Sequence, residues 1–340
     1  MKIKKLLAVI LSATLTMSAL AGCEKAAPSA DEPVVVQIAF ENSISEPIGQ
    51  ALEKWQELVE EKGDGSLKIE LFPDSQLGSK SELIDTMLIG EPVITLADGA
   101  FYADYGVKDF GILFGPYLFD SWEQCWTLIE SDWYKSQSEK LEEKGLKILV
   151  SNWMYGDRHT LTTKLVESPS DLKGLKIRVP GNEIQSVGFD TLGATSTGMD
   201  LGEVYQSLQT KAIDGAENPV STLYGRKLHE VAKYLLLDGH VKNFTTWVCS
   251  ADFFERLTPE QQELLVSTGE EAGLYNNGLQ EEAEADYLQK MEDEGVTITE
   301  LTDKTREEFK KAAEPFYEKG AQFGWSDGLY DTVRKAMGAK

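Results

Sequence analysis

Apolar and polar positions alternate over residues 34–40, which predicts a first strand. Ile48, Leu52, Trp55 and Val59 then recur at the three- and four-residue spacing that gathers them on one helical face. The run Lys62-Gly63-Asp64-Gly65 stops that helix. Leu67, Ile69 and Leu71 alternate with Lys68, Glu70 and Phe72 as a second strand, a helix follows over 81–89 and ends at Gly90, and 93–97 is a short apolar run of the kind covered on both faces. Strand, helix, strand, helix, strand at these spacings predicts a mainly parallel sheet with helices on its faces.

The same grammar restarts after Gly145. Residues 146–151 read as a strand, and Ser168-Pro169-Ser170-Asp171 starts a short helix with a capping serine and a proline at its first position, closed by Gly174. Leu175, Ile177 and Val179 point to one side of the next strand and Lys176 and Arg178 to the other, and Pro180 ends it. A helix over 202–209 leads into a strand over 212–217, giving a second α/β unit. From Thr258 the pattern changes: Thr258-Pro259-Glu260-Gln261 is a capping box, and a helical register runs without proline to about Glu294, long enough to span both units. Thr302 caps a further helix through Lys319 that is kinked at Pro315.

The start of the chain is of another kind. Met1-Lys2-Ile3-Lys4-Lys5, the apolar run 6–11 and small residues through Ala21 have the layout of a secretory signal peptide over 1–22, with an apolar part too short to span a membrane. It ends in Leu20-Ala21-Gly22-Cys23, which resembles a bacterial lipobox, so Cys23 is expected to carry a lipid anchor; an ordinary signal peptide followed by a chance cysteine is the alternative. Residues 23–33, rich in Ala, Pro, Ser and acid, read as the tether. The expected location is the outer face of the cytoplasmic membrane.

Without the three leader lysines, 30 basic side chains face 57 acidic ones, a formal charge of −27. Nucleic acid is thereby excluded as a partner. A small anion is not, because charges beyond a Debye length of about 8 Å are screened and a local cation decides the field inside a cleft. Cys125, in an aromatic helical stretch, and Cys249, in a strand, have neither redox nor metal spacing; an exported location permits a disulfide between them, and two buried thiols fit as well. No phosphate-binding loop, dinucleotide fingerprint or nucleophile elbow occurs, and His159, His229 and His240 have no companions at metal spacing, so neither cofactor nor metal is expected. Nothing in the pattern argues for an enzyme, although a secreted hydrolase could hide a carboxylate pair among so many acids.

Two arginines lie where strands meet loops, Arg158 in Tyr155-Gly-Asp-Arg-His159 and Arg178 in Lys173-Gly-Leu-Lys-Ile-Arg-Val-Pro180. Ligands bind at strand ends in such sheets, and a guanidinium offers a planar fork that matches a carboxylate. The structural alternative is an arginine paired with a local acid or capping a carbonyl.

The runs Ser168-Pro-Ser-Asp-Leu-Lys-Gly-Leu-Lys-Ile-Arg-Val-Pro180, Leu192-Gly-Ala194, Glu203-Val-Tyr-Gln-Ser-Leu-Gln209 and Ile213-Asp-Gly-Ala-Glu-Asn-Pro219, with Ser75-Gln-Leu-Gly78 and Gly115-Pro-Tyr-Leu118 before them, resemble the DctP-type solute-binding proteins of TRAP transporters. The resemblance covers nearly all of the chain after the leader. It implies a two-lobed, periplasmic-binding-protein-like (type II-like) α/β fold that closes on an organic acid and delivers it to small and large permease subunits for ion-driven uptake, the binding protein itself being expected as a monomer. The lobes are expected at 34–155 with 244–283 and at 156–243 with 284–340. The resemblance also implies Arg178 as the carboxylate receptor, with Arg158 and Asn218 beside it. Softer expectations are Asp98 as a reader of ligand hydroxyls or an amine, Glu41 and Asn42 near the cleft, Trp153 stacking on a sugar face or buried as core, and His240 in the ligand site or as hinge packing. Gly181 and Leu201 replace a polar and an aromatic residue found in relatives, which favours a hydroxylated sugar acid such as a uronate over a bare C4-dicarboxylate. A ligand sensor presenting its closed form to a receptor is the alternative function.

Overall fold

The computed structural model describes residues 32–339; the residues expected as signal peptide, lipidated Cys23 and most of the tether lie outside the described residues. Among the described residues nine strands form one sheet: β1 (Val34–Ala39), β2 (Leu67–Phe72), β3 (Val93–Ala97), β4 (Leu146–Thr162), β5 (Lys176–Val179), β6 (Thr195–Gly198), β7 (Gly215–Pro219), β8 (Tyr234–Ser250) and β9 (Thr297–Glu300). Their order is β2-β1-β3-β8-β4-β7-β5-β6, with β9 added beside β8. As the βαβ pattern predicts, β1 runs parallel to β2 and β3, and β5 runs parallel to β6 and β7. These parallel groups form the two lobes of a mixed α/β fold.

What joins them departs from the expected short strand at 146–151. β4 and β8 are each 17 residues long and antiparallel to each other, and they cross from one lobe to the other. Their register shifts four times between Ile148 and Thr160, and each irregularity interrupts the ladder and adds twist. Polar and glycine positions such as Asn152, Gly156 and Asp157 break the two-residue alternation there, so periodicity does not show the strand's full length. Two further boundaries differ. The strand expected at 212–217 lies at Gly215–Pro219, and the Ser168–Asp171 start yields only the single 3-10 turn Pro169–Leu172.

The long helix occurs at Pro259–Asp293, begun by the capping box of Thr258 and Gln261. It packs on helix Pro47–Lys62 of the first lobe and on helix Val220–Gly225 of the second. Close approach needs Gly269: a Cβ there would sit 2.6 Å from Trp55 Cζ2. Beneath it lie Trp55, Trp153 and Trp247, all fully buried and in mutual ring contact with centroids 5.2–6.1 Å apart.

The C-terminal stretch packs on elements from both halves of the sheet. Helix Asp303–Tyr317, with Pro315 inside it, packs on helix Glu183–Thr191 of the second lobe, but Phe323, Trp325, Leu329 and Val333 return to the apolar cluster of Leu83, Phe110 and Leu128 in the first. Both Cys125 and Cys249 are buried free thiols.

Candidate functional site

The strand ends of both lobes converge on a small cavity where β4 and β8 cross, with room for about one water. From the first lobe come Glu41, just after β1, Lys80 at the start of helix Lys80–Leu88, and Leu96 and Asp98 at the end of β3. The crossing strands supply Tyr155, Arg158, Asn243 and Thr245, and the second lobe supplies Arg178, Pro180 and Asn218. A larger open groove of about 870 Å³ lies on the outer side of β4. Its Lys147 is already paired with Glu142 at 2.7 Å, its other cation Lys135 is exposed to solvent, and Glu130, Glu139, Glu270 and Glu271 crowd the rest, so it gathers no buried receptor for an acid.

The cations of the smaller cavity are in different states. Arg158 is buried, and its Nε and one terminal nitrogen donate to the Glu217 carboxylate at 2.5 and 2.6 Å, the latter nitrogen also to the Glu217 carbonyl at 3.2 Å, while the other donates to Asn243 Oδ1 at 3.0 Å. Four of its five N–H groups are thus committed. Burial tends to lower the Arg158 pKa and raise that of Glu217, but their mutual attraction outweighs it in both, and the pair is held ionised. Lys80 faces Glu41 at 3.1 Å. Arg178 is different: only its Nε is used, donating to the Met199 carbonyl at 2.9 Å, and no carboxylate within ion-pair distance answers its charge among the described residues. Burial depresses its pKa, opposed by the more distant Glu41 and Glu217. Four N–H groups of a buried guanidinium therefore remain for a guest.

A family model of DctP-type bacterial extracellular solute-binding proteins, family 7, matches residues 38–322. The chain belongs to this family. Among its relatives is the C4-dicarboxylate-binding periplasmic protein DctP of Rhodobacter capsulatus, 28% identical over 94% of both chains. The 2,3-diketo-L-gulonate-binding periplasmic protein YiaO of Escherichia coli K12 is 31% identical over 82% of this chain and 84% of its own. A TRAP periplasmic solute-binding protein of Ochrobacterium anthropi, solved with bound L-fuconate, superposes with a TM-score of 0.85 at 38% identity, covering 90% of this chain and 99% of that one. Another, from Actinobacillus succinogenes with bound L-galactonate, gives 0.86 at 37% with the same coverage.

In this TRAP solute-binding protein, five of the eight expected ligand residues line the cavity: Arg178, Arg158, Asn218, Asp98 and Glu41. Three do not. Trp153 is core, its Nε1 donating to the Gly269 carbonyl at 3.0 Å. Asn42 is buried one layer back, its amide donating to Glu46 at 2.7 Å and to Tyr155 and Thr222 at 3.1 Å. His240 stands behind Arg158, between Asp238 (3.1 Å) and Glu217 (3.2 Å). Burial alone would lower its pKa, but the two carboxylates lift it to about 9 and keep an imidazolium there at neutral pH. Asp98 also caps helix Gly99–Asp104, accepting from Ala100 N at 2.9 Å, and burial raises its pKa against Lys80 and Arg158.

Lys80, Tyr155, Asn243 and Glu217 were not expected at the site. The signal for Lys80 is its place just after Gly78-Ser79, where Ser79 and Glu82 form a capping box that fixes the helix start. Asn243 and Glu217 are set by the pairing of β4 with β7 and β8, which juxtaposes Arg158 with Pro219 on one side and Val241 on the other.

The lobes are shut against each other around the cavity. Arg226 of the second donates to Asp74 Oδ1 (2.8 Å) and to the carbonyl of Glu41 (3.3 Å) in the first, and Thr222 donates to Glu46 at 3.0 Å.

Proposed function

We propose that the protein captures a small hydroxylated organic acid, carboxylate first, on the guanidinium of Arg178, and surrenders it to a TRAP permease. The observation that carries the reading is the asymmetry between the two arginines. Arg158 is neutralised by Glu217, Lys80 stands beside Glu41, and Arg178 is the buried cation without a carboxylate partner. One guest carboxylate answers one unpaired charge. Asn218, whose amide both donates and accepts, and the fifth N–H of Arg158 complete the receptor, so Arg158 assists in the clamp and Arg178 bears its charge. A second guest carboxylate would meet Asp98 and Glu41 on the opposite wall, which favours a sugar acid over a C4-dicarboxylate.

Capture proceeds by closure of the lobes about β4 and β8, whose register shifts supply compliance, with Arg226 and Thr222 engaging as the gap closes. A micromolar dissociation constant needs only about −8 kcal/mol, within reach of one desolvated ion pair and several hydrogen bonds after the costs of ordering. The protein works as a lipid-anchored monomer on the outer face of the membrane and transforms nothing; small and large permease subunits move the acid on an ion gradient.

A thermal-shift screen of the mature protein against aldonates, uronates, C4-dicarboxylates and neutral sugars tests this, since a ligand that binds only the folded state raises the melting point. Stabilisation by sugar acids and none by the matching neutral sugars is expected. Equal shifts with neutral sugars would refute a carboxylate receptor.

A further inference from the structure

On the wall opposite Arg178, Lys80 and Glu41 stand 3.1 Å apart with side chains 10% and 19% exposed. Both line the cavity. We propose that Lys80 and Glu41 together form a reader for two adjacent hydroxyls of the guest, so that Lys80 is a specificity-determining residue. The inference rests on the carboxylate reading of Arg178 and extends it to the other end of the ligand.

The chemistry follows from the inventory of donors and acceptors. An ammonium has three donors and no acceptor, and a carboxylate has only acceptors. A vicinal diol fits such a neighbouring pair in one way: one hydroxyl oxygen accepts from Lys80 Nζ while the adjacent hydroxyl donates to Glu41. A methyl, a carbonyl or a second carboxylate in that place leaves one partner unanswered or sets like charges together. Because the two residues neutralise each other, the pair does not compete with Arg178 for the guest's carboxylate. Burial would raise the pKa of Glu41, but Lys80 and Arg178 outweigh it, so the acceptor stays ionised.

Both members are held in place from outside the cavity. Lys80 is the first residue of a helix fixed by its capping box, and its Nζ lies 4.5 Å from the centroid of the Phe101 ring, an attraction that locates the charge without consuming an N–H in a conventional hydrogen bond. The loop bearing Glu41 is gripped by Arg226, which is itself anchored on Asp74. The diol reader is therefore complete only when the second lobe has closed on the first, which couples recognition of the hydroxyls to capture.

The test is calorimetry of wild type, Lys80→Met and Lys80→Met/Glu41→Gln with L-galactonate and its single-deoxy analogues, with unfolding curves to verify each fold. The double variant leaves no charge stranded, so it remains informative if the single variant is poorly folded. In wild type at least one deoxy analogue is expected to bind tenfold or more weakly than its parent, and in the double variant that penalty is expected to shrink to twofold or less. Unchanged penalties across the analogues, or wild-type affinity for L-galactonate in the double variant, would overturn the diol reader. Wild-type binding of dicarboxylates but of no polyhydroxylated acid would overturn it while leaving the Arg178 receptor standing. Binding of no acid at all by wild type would overturn both.

Discussion

Replacing Arg178 and Arg158 one at a time by alanine separates a binding residue from a structural one. In the ligand-free protein Arg178 gives up one hydrogen bond, to the Met199 carbonyl, and strands no carboxylate. Its loss relieves the burial of an unpaired charge and is expected to leave stability within about 1 kcal/mol of wild type. In the complex the same change buries the guest's carboxylate without its partner, which costs about 3–5 kcal/mol, or roughly 100- to 4,000-fold in affinity. Arg158 presents the reverse case. Its removal leaves Glu217, 1% exposed, with the His240 imidazolium as its counter-charge and takes the donor from Asn243 Oδ1, and that penalty of about 1–3 kcal/mol falls on folding as well as on binding. Urea unfolding without ligand and calorimetry with the best sugar acid from the screen measure the two quantities. The reasoning fails if Arg178→Ala binds within threefold of wild type, or if it loses as much stability as Arg158→Ala.

Two other expectations concern the closure contacts and the long helix. Glu46 accepts from Asn42, Ser43 N and Thr222, and burial raises its pKa to about 7 despite those hydrogen bonds and the charge of Arg226; Tyr155 and Tyr287 are the other titratable groups that face it. Opening removes Thr222 and readmits water, returning Glu46 toward an ordinary carboxylate, so closure takes up a proton: its advantage is full below about pH 4.5 and is lost as pH rises through 7. Sugar-acid affinity is expected to fall on the order of 50-fold from pH 5 to pH 8, and Glu46→Gln to flatten the profile; an affinity that rises with pH would contradict this. Gly269→Ala is expected to destabilise by about 1–2 kcal/mol in urea unfolding, because a methyl 2.6 Å from the locked Trp55 ring overpacks the helix contact by more than alanine's helix propensity returns, and a stabilised variant would rule that out.

Local pattern carried much of the architecture. The spacing of Ile48, Leu52, Trp55 and Val59, the capping box at Thr258 and the apolar run at 93–97 state their own secondary structure, because burying one face imposes a period on the residues that form it. The Arg178 position was equally legible, since Ile177 and Val179 must face the core and leave the residue between them on the other side. The length of β4 and β8 was not, because in strands that cross between lobes each stretch meets a different environment and no single alternation persists. Nor could the chain's pattern separate Arg158 from Arg178. Both are buried arginines on strands, and only the β4–β7 pairing, which lays Glu217 alongside Arg158, makes one a structural ion pair with a single spare N–H and leaves the other open. Trp153 and His240 show the same limit, for a side chain's chemistry is written in the sequence while tertiary packing decides its partner: Gly269 of the long helix, 116 residues away, for Trp153, and Glu217 of β7, 23 residues away, for His240.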